Sequence, residues 1–156
     1  MTDKFNWDTG FVLDFDLKTG FSENAKITKR HLSQMRGMFH DEKAYQERIL
    51  QGDPLVYEFY ELGFDKDPIA LSSVHGSGTG TVGDEYFMTK GHFHTDLMTA
   101  EIYYTLSGTG YMMLENKEGD WRALPLAAGQ AVYVPRGYAH RTINSGDDPL
   151  IVFFAF

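Results

Sequence analysis

Two histidines, His92 and His94, stand one residue apart in the run TKGHFHTDLMTAEIYY, and Glu101 follows them. Alternate side chains of a β-strand point to the same face, so both imidazoles are expected to face one point. Imidazole nitrogens bind divalent metals at about 2.0–2.1 Å, and two from one strand can form one edge of a coordination shell. If a strand beginning at Glu101 pairs antiparallel with the histidine strand, its carboxylate adds an oxygen ligand. Taken alone, this stretch is equally consistent with a chance pair of histidines.

A second stretch, GQAVYVPRGYAHRTIN, supplies a fourth candidate ligand, His140. Pro135 and Gly137 favour a turn that presents a strand beginning near this histidine. The chain has no cysteine, which excludes disulfides, thiolate metal ligands and cysteine nucleophiles. Any metal must therefore be held by nitrogen and oxygen ligands.

The remaining chemical candidates have simpler interpretations. His31, His40 and His75 have no companions at ligand spacing, and we interpret them as surface or loop residues. The glycine-rich run GSGTGTVG (76–83) predicts a hairpin loop, because it lacks the Lys-Ser/Thr ending of a phosphate-binding loop and no helix follows it.

Length and composition predict one packed domain. The chain has 156 residues, of which 42% are hydrophobic and 15% aromatic, and it shows no linker or internal repeat. We assign residues 1–156 to one domain, with an N-terminal extension over about 1–53 and a β-barrel core over about 54–156.

The charge balance limits the partners. The net charge is −8 and the pI is near 5.1, which argues against a nucleic-acid binder. A small anionic substrate remains possible, because the local charge of a pocket can oppose the global charge. No apolar run approaches the length of a membrane span, so we expect a cytoplasmic protein with no membrane partner.

The elements that must position these residues can be predicted from local patterns. Residues 12–20 alternate apolar and polar and predict a strand, and residues 27–39 show a weak helical pattern. Residues 41–52 predict the best helix, capped by Asp41 and ended by Gly52. A strand follows from Pro54.

From Pro68 onward nearly every segment predicts a short strand bounded by Gly, Asn, Asp or Pro. Turn residues recur about every ten residues, which is typical of an all-β sandwich or barrel and not of alternating strands and helices. The predicted strands are IALSSV, DEYFMTKGHFH, AEIYYTLSG, GYMMLEN, WRALPLA, QAVYVP, HRTIN and LIVFFAF.

The two histidine stretches resemble the two motifs of the cupin superfamily. The second stretch has the cupin spacing at every position, from Gly129 through Pro135, Gly137 and His140 to Asn144. The first departs from the usual motif, because the gap between His94 and Glu101 is long and Tyr86 stands where a glycine is expected. The run TKGHFH, the long gap and Tyr103 beyond the glutamate are similar to the cupin-type glucose-6-phosphate isomerases. This resemblance covers roughly residues 10–156.

The resemblance implies a fold and a set of site residues. The fold would be all-β, a cupin double-stranded β-helix (jelly roll) with a short N-terminal strand and helix extension. The metal ligands would be His92, His94, Glu101 and His140, holding one divalent ion per subunit, preferably iron(II), with manganese, nickel or zinc as substitutes. The phosphate contacts would be Thr89, Gly91 and Ser73, which stands where the family has threonine. Tyr57 and Tyr103 would border the sugar.

The implied activity is the interconversion of glucose 6-phosphate and fructose 6-phosphate, a step of glycolysis and gluconeogenesis. We add Lys90 as a source of positive potential near the phosphate. Glu101 could act as the base in an enediol route, with Tyr103 orienting a substrate oxygen, and a metal-assisted hydride shift is the rival route. We expect a homodimer, because pairing hides exposed strand edges.

Two further interpretations follow from the sequence. Family members usually continue past the last strand with a Tyr- and His-containing segment that closes over the substrate, whereas this sequence ends at Phe156. We therefore expect metal binding to survive and sugar-phosphate affinity and turnover to be affected. The alternatives to the isomerase are a metal cupin acting on another sugar, an oxygenase, or a non-catalytic sugar-binding cupin.

Overall fold

The computed structural model describes residues 10–23, 25–62, 69–74, 80–96 and 98–155. Within these ranges the chain forms eleven strands, one α-helix and one short 3-10 helix. The elements are β1 Lys26–His31, the 3-10 helix Leu32–Met35, α1 Glu42–Leu50, β2 Leu55–Leu62, β3 Ile69–Val74, β4 Thr81–Val82, β5 Glu85–Tyr86, β6 Glu101–Ser107, β7 Thr109–Glu115, β8 Trp121–Ala127, β9 Ala131–Val134, β10 Ala139–Asn144 and β11 Leu150–Ala155.

Two antiparallel sheets enclose the core. The larger sheet has the order β1-β2-β3-β11-β6-β9, and the smaller has the order β10-β7-β8. Met112 and Leu114 of the smaller sheet and Tyr103, Val132 and Val152 of the larger are buried in one apolar cluster, so the inner faces of the sheets pack together. The predicted all-β fold is confirmed.

Strand β6 shows how the alternation of the sequence selects what faces the interior. Glu101, Tyr103 and Thr105 are buried, whereas Ile102 and Tyr104 are exposed. Because successive side chains of a strand point to opposite faces, burying Tyr103 also turns Glu101 into the barrel.

The predicted helix at 41–52 is confirmed as α1. The Asp41 side chain accepts a hydrogen bond from the backbone N–H of Ala44 at 2.9 Å, the usual role of an N-cap. Oε1 of Glu85 accepts from the backbone N–H groups of His40 and Asp41, at 2.8 and 3.0 Å. These bonds fasten the β4–β5 hairpin to the start of the helix.

The strand predicted at residues 12–20 is wrong, because the described residues 10–23 form no strand. The Asp16 carboxylate accepts hydrogen bonds from the backbone N–H groups of Lys18 and Thr19, both at 2.8 Å. A side chain that bonds its own neighbouring backbone in this way favours a turn over an extended ladder.

The weak helix predicted at residues 27–39 is also wrong. The segment begins as β1, which pairs antiparallel with β2 and places Arg30 opposite Tyr57, and it continues as the short 3-10 helix. Pairing with a strand that is distant in the sequence overrides the local helical pattern here.

The run DEYFMTKGHFH is not the continuous strand that its pattern predicts. Only Glu85 and Tyr86 belong to a strand, and further on isolated bridges join Met88 to Ile143 and His92 to His140. Gly91 interrupts the run with a φ of 73°, and a Cβ there would lie 3.1 Å from the His140 carbonyl oxygen. The run therefore lies along β10 without a full ladder.

The glycine-rich run is described from Gly80 onward, and residues 76–79 lie outside the described ranges. Its end forms the β4–β5 hairpin, with Gly83 in the turn at a φ of 57°. Within the described part of the chain, no helix has the length and apolar character that crossing a membrane requires.

Candidate functional site

Three histidine rings lie close together, with His140 buried, His94 half-buried and His92 exposed. The ring centroid of His92 lies 5.5 Å from that of His94 and 4.9 Å from that of His140, and the last two are 5.3 Å apart. One nitrogen from each ring lies within 4.8 Å of the other two. Three imidazoles from two chain segments thus converge as potential ligands of one ion.

The backbone brings the histidine run to β10. The N–H of His92 donates to the His140 carbonyl at 3.3 Å, and the N–H of His140 donates to the His92 carbonyl at 3.2 Å. Thr89, three residues before His92, also binds the run to β10. Its hydroxyl oxygen accepts a hydrogen bond from the N–H of Thr142 at 3.0 Å, and its own N–H donates to the Thr142 carbonyl at 2.9 Å. This register places His92 directly beside His140.

Glu101 reaches the histidines from the other sheet. Its Oε2 lies 2.9 Å from Nε2 of His94 and 3.0 Å from Nε2 of His140, and the side chain is only 2% exposed. The condition considered from the sequence, that β6 pairs with the histidine strand, is not met, because β6 pairs with β9 and β11. The carboxylate and the imidazoles instead meet across the interior of the barrel.

The electrostatics of this cluster suit a cation. A buried carboxylate must be paired, and the ion-pair partners of Glu101 among the described residues are the imidazoles of His94 and His140. Partial enclosure of the ring, followed by the neighbouring His140 and His94, lowers the pKa of His92 below its ordinary value. A lowered pKa keeps this imidazole neutral, which is the state that binds a metal.

Tyr103 completes the buried polar cluster. Its hydroxyl lies 3.0 Å from Nε2 of His140, and its ring stacks on Phe154 with centroids 4.8 Å apart. Burial, reinforced by the charge of Glu101, raises the pKa of Tyr103 well above its ordinary value. The phenol therefore stays protonated at neutral pH and can act as a hydrogen-bond donor.

Three of the residues predicted to contact the substrate, Lys90, Gly91 and Tyr57, are neighbours. Lys90 and Gly91 line a cavity of about 590 Å³ together with His92 and His140. Tyr57 is buried on β2, and burial raises the pKa of its hydroxyl, although Arg30 and the Lys90 backbone, both hydrogen-bond partners, act to lower it.

The other two predicted phosphate contacts are Thr89 and Ser73. Thr89 is half-buried beside β10. Ser73 lies in β3 opposite Glu58, and its side chain falls outside what the structure describes. The contacts of all five predicted residues with a substrate stay predictions.

The sequence patterns did not reveal one structural partner each of Tyr103 and Tyr57. Phe154 supports Tyr103, and Arg30 faces Tyr57 across the β1–β2 pair. Because successive side chains of a strand point to opposite faces, the run LIVFFAF already places Phe153 and Phe154 on opposite faces of the sheet. No local pattern pairs Arg30 with Tyr57, because β1 itself was not predicted.

A double-sheet barrel that brings together two alternate histidines, a glutamate and a third histidine defines a cupin with a site for a divalent metal. Solved structures agree with this fold. A structure of Bacillus subtilis oxalate decarboxylase, described with Mn(II) centres, superimposes with a TM-score of 0.53 and 27% identity. The match covers 64% of this chain and 25% of the decarboxylase chain.

The chain belongs to the glucose-6-phosphate isomerase family, whose sequence model matches residues 29–156. Glucose-6-phosphate isomerase of Thermococcus litoralis is 44% identical over 149 residues, which cover 95% of this chain and 77% of the relative. The isomerase of Pyrococcus furiosus is 43% identical over 142 residues, covering 90% and 75%. The family resemblance inferred from the sequence motifs is confirmed.

Proposed function

We propose that this protein is a metal-dependent isomerase that interconverts glucose 6-phosphate and fructose 6-phosphate. The observation that carries the proposal is the convergence of His92, His94 and His140 with the buried carboxylate of Glu101. Family membership indicates that the substrate of this site is a sugar phosphate, because the relatives in Thermococcus and Pyrococcus are glucose-6-phosphate isomerases.

The donor set fits one divalent ion per subunit. It combines three imidazole nitrogen donors with one carboxylate, whose buried charge a cation would balance. We propose iron(II) as the native ion, with manganese, nickel or zinc as substitutes, since imidazole and carboxylate ligands accept all four. The Mn(II) centres of the oxalate decarboxylase make manganese a reasonable probe.

When bound, the ion would act as a Lewis acid that polarises the substrate carbonyl and stabilises developing negative charge. Glu101 is the proposed base, moving a proton between C2 and C1 of the sugar along an enediol route. Its burial beside two imidazoles keeps water away from the carboxylate. Tyr103 stays protonated and would donate its O–H to a substrate oxygen. A hydride shift between C1 and C2 is the competing route, in which Glu101 serves as a ligand only.

The phosphate would lie on the side of the histidine run. We assign its contacts to Thr89, Lys90, Gly91 and Ser73, and we place Tyr57 beside the sugar. Lys90 contributes a positive charge beside the cavity, in a chain whose net charge is −8. This local charge would favour a dianionic substrate.

We extend the proposal to a homodimer. Ile102, Tyr104 and Tyr133 are 54%, 42% and 59% exposed, and they lie at the β9 edge of the larger sheet, where Ile102 is paired with Tyr133. Apolar side chains at an open edge are usually covered. Light scattering at micromolar concentration would show a dimer, and a monomer there would contradict this assignment. The cytoplasmic location stays a prediction.

A coupled assay tests the activity directly. Fructose 6-phosphate is supplied to protein loaded with iron(II) or manganese, and glucose 6-phosphate is detected through its dehydrogenase. Turnover that disappears with chelator and returns with metal supports the proposal. Tight substrate binding without turnover would favour a sugar-binding cupin, and oxygen consumption would favour an oxygenase.

A further inference from the structure

Two consecutive phenylalanines of β11 have different surroundings. Phe153 stacks on Phe15 outside the larger sheet, with ring centroids 6.2 Å apart. Phe154 stacks on Tyr103 on the inner face, with centroids 4.8 Å apart and ring planes at 18°. The register of β11 and β6 fixes this contact, because Phe154 lies directly opposite Tyr103.

The orientation of Tyr103 depends on its ring contacts as well as on its hydroxyl. The contact of that hydroxyl with His140, at 3.0 Å, sets the position of one atom. The plane of the ring is set by Phe154 on one face and by the His140 ring, which meets it at 64°. Loss of a stacked aromatic partner weakens such an arrangement by roughly two- to tenfold in population.

We propose that Phe154 is a positioning residue that holds the Tyr103 hydroxyl beside His140 and Glu101 for the substrate oxygen. This role rests on the isomerase function proposed above. The phenyl ring has no polar atom, so its proposed effect on the substrate passes through Tyr103.

The kinetic experiment compares neighbouring substitutions on opposite faces. Phe154→Leu should lower kcat about two- to tenfold with little change in KM, because the ring that orients Tyr103 is lost while the predicted phosphate contacts remain. Phe154→Tyr keeps the stacked ring and should restore kcat. Phe153→Leu removes a stacked phenylalanine from the outer face and should leave kcat unchanged. Equal losses in the two leucine variants would overturn the proposal.

A double-mutant cycle tests whether Phe154 acts through the hydroxyl. Tyr103→Phe removes the oxygen and should lower kcat. Adding Phe154→Leu should then cost little more, because residues acting through one shared group are not additive. If the two substitutions lower kcat by factors that multiply in the double variant, Phe154 acts independently of Tyr103 and the assignment is overturned. If Phe154→Leu fails to fold, Phe154→Met provides the same comparison with a more adaptable side chain.

A structural measurement separates this inference from the proposed activity. If the wild-type protein shows no isomerisation, the proposed function fails, and crystal structures of the wild type and of Phe154→Leu still test the positioning role. A Tyr103 ring that turns, or a hydroxyl that leaves His140, supports it. An unchanged Tyr103 overturns it. Manganese affinity, measured by titration, should be the same in both proteins.

Discussion

The substitution Glu101→Gln separates a metal ligand from a catalytic base. Glutamine keeps the shape of glutamate, and its carbonyl oxygen can take the place of Oε2, 2.9 Å from His94 and 3.0 Å from His140. It loses the negative charge and the capacity to take a proton. The side chain is 2% exposed, so the change acts inside the barrel and not at its surface.

The expected effect on folding is small. Two charge-assisted contacts become neutral ones, which costs about 2–3 kcal/mol in total. Removing a buried charge offsets this, because burying an ion costs several kcal/mol in effective terms. The metal-free variant should therefore fold, and its midpoint of thermal unfolding should lie within a few degrees of the wild type.

The expected effect on turnover is much larger. General-base catalysis contributes about 10²–10⁴ in rate, which corresponds to about 2.7–5.5 kcal/mol of activation free energy. If Glu101 is the base, kcat of Glu101→Gln should fall by this factor even with the metal site filled. If Glu101 is only a ligand, excess metal should restore most of the turnover.

The assay measures kcat at saturating metal, together with incorporation of solvent deuterium at C1 and C2 of the sugar. Deuterium incorporation in the wild type and its loss in Glu101→Gln support the enediol route. The exposed Glu118→Gln is the matched control and should behave as the wild type. Near-wild-type kcat in metal-filled Glu101→Gln would refute the base assignment and leave the hydride shift as the better account.

Three further predictions concern the metal and the stability of the fold. His92→Ala and His140→Ala should each lose metal and activity while His31→Ala retains both, measured by metal content and the coupled assay; full activity after chelation would contradict the metal requirement. Glu85→Ala should lower the free energy of unfolding by about 1–2 kcal/mol, because two N–H groups at the start of α1 lose their acceptor; denaturant unfolding checks this, and Glu85→Gln should lose less. Hydrogen bonds from the Ser33 backbone and hydroxyl lower the pKa of Asp53, so its stabilising contribution is present above the unfolded pKa near 3.9 and is lost as pH falls through the folded pKa. Asp53→Asn should therefore be less stable than the wild type at pH 7, and this difference should shrink below about pH 4; a difference independent of pH would rule out the charge of Asp53 as the cause.

The strongest predictions from sequence alone concerned residue types at fixed spacing. His92, His94, Glu101 and His140 were all identified as ligand candidates, because the two stretches that contain them resemble the two cupin motifs. The helix at 41–52 was also predicted, because Asp41 and Gly52 act through local backbone geometry. Short strands with frequent turns gave the all-β class for the same local reason.

The tertiary structure decided which segments become neighbours. The sequence suggested strand pairing only as one way for Glu101 to reach the histidines, whereas β6 pairs with β9 and β11 and the carboxylate crosses the barrel to reach His94 and His140. Residues 12–20 and 27–39 were predicted wrongly, because the Asp16 turn and the pairing of β1 with β2 override their alternation and helical periodicity. The pairing of β1 with β2 joins segments distant in the chain, so no local pattern specifies it. The Asp16 turn is local, and its side-chain hydrogen bonds to Lys18 and Thr19 prevail over the alternation of the segment.

The two phenylalanines of β11 show what the sequence determines and what the tertiary structure adds. The sequence determines that Phe153 and Phe154 face opposite sides of a strand, since the period of a strand is two. Only the folded sheets determine that one side holds Phe15 and the other Tyr103. Alternation assigns each side chain to a face, and the register between distant strands assigns its partner, because register depends on packing across the whole barrel.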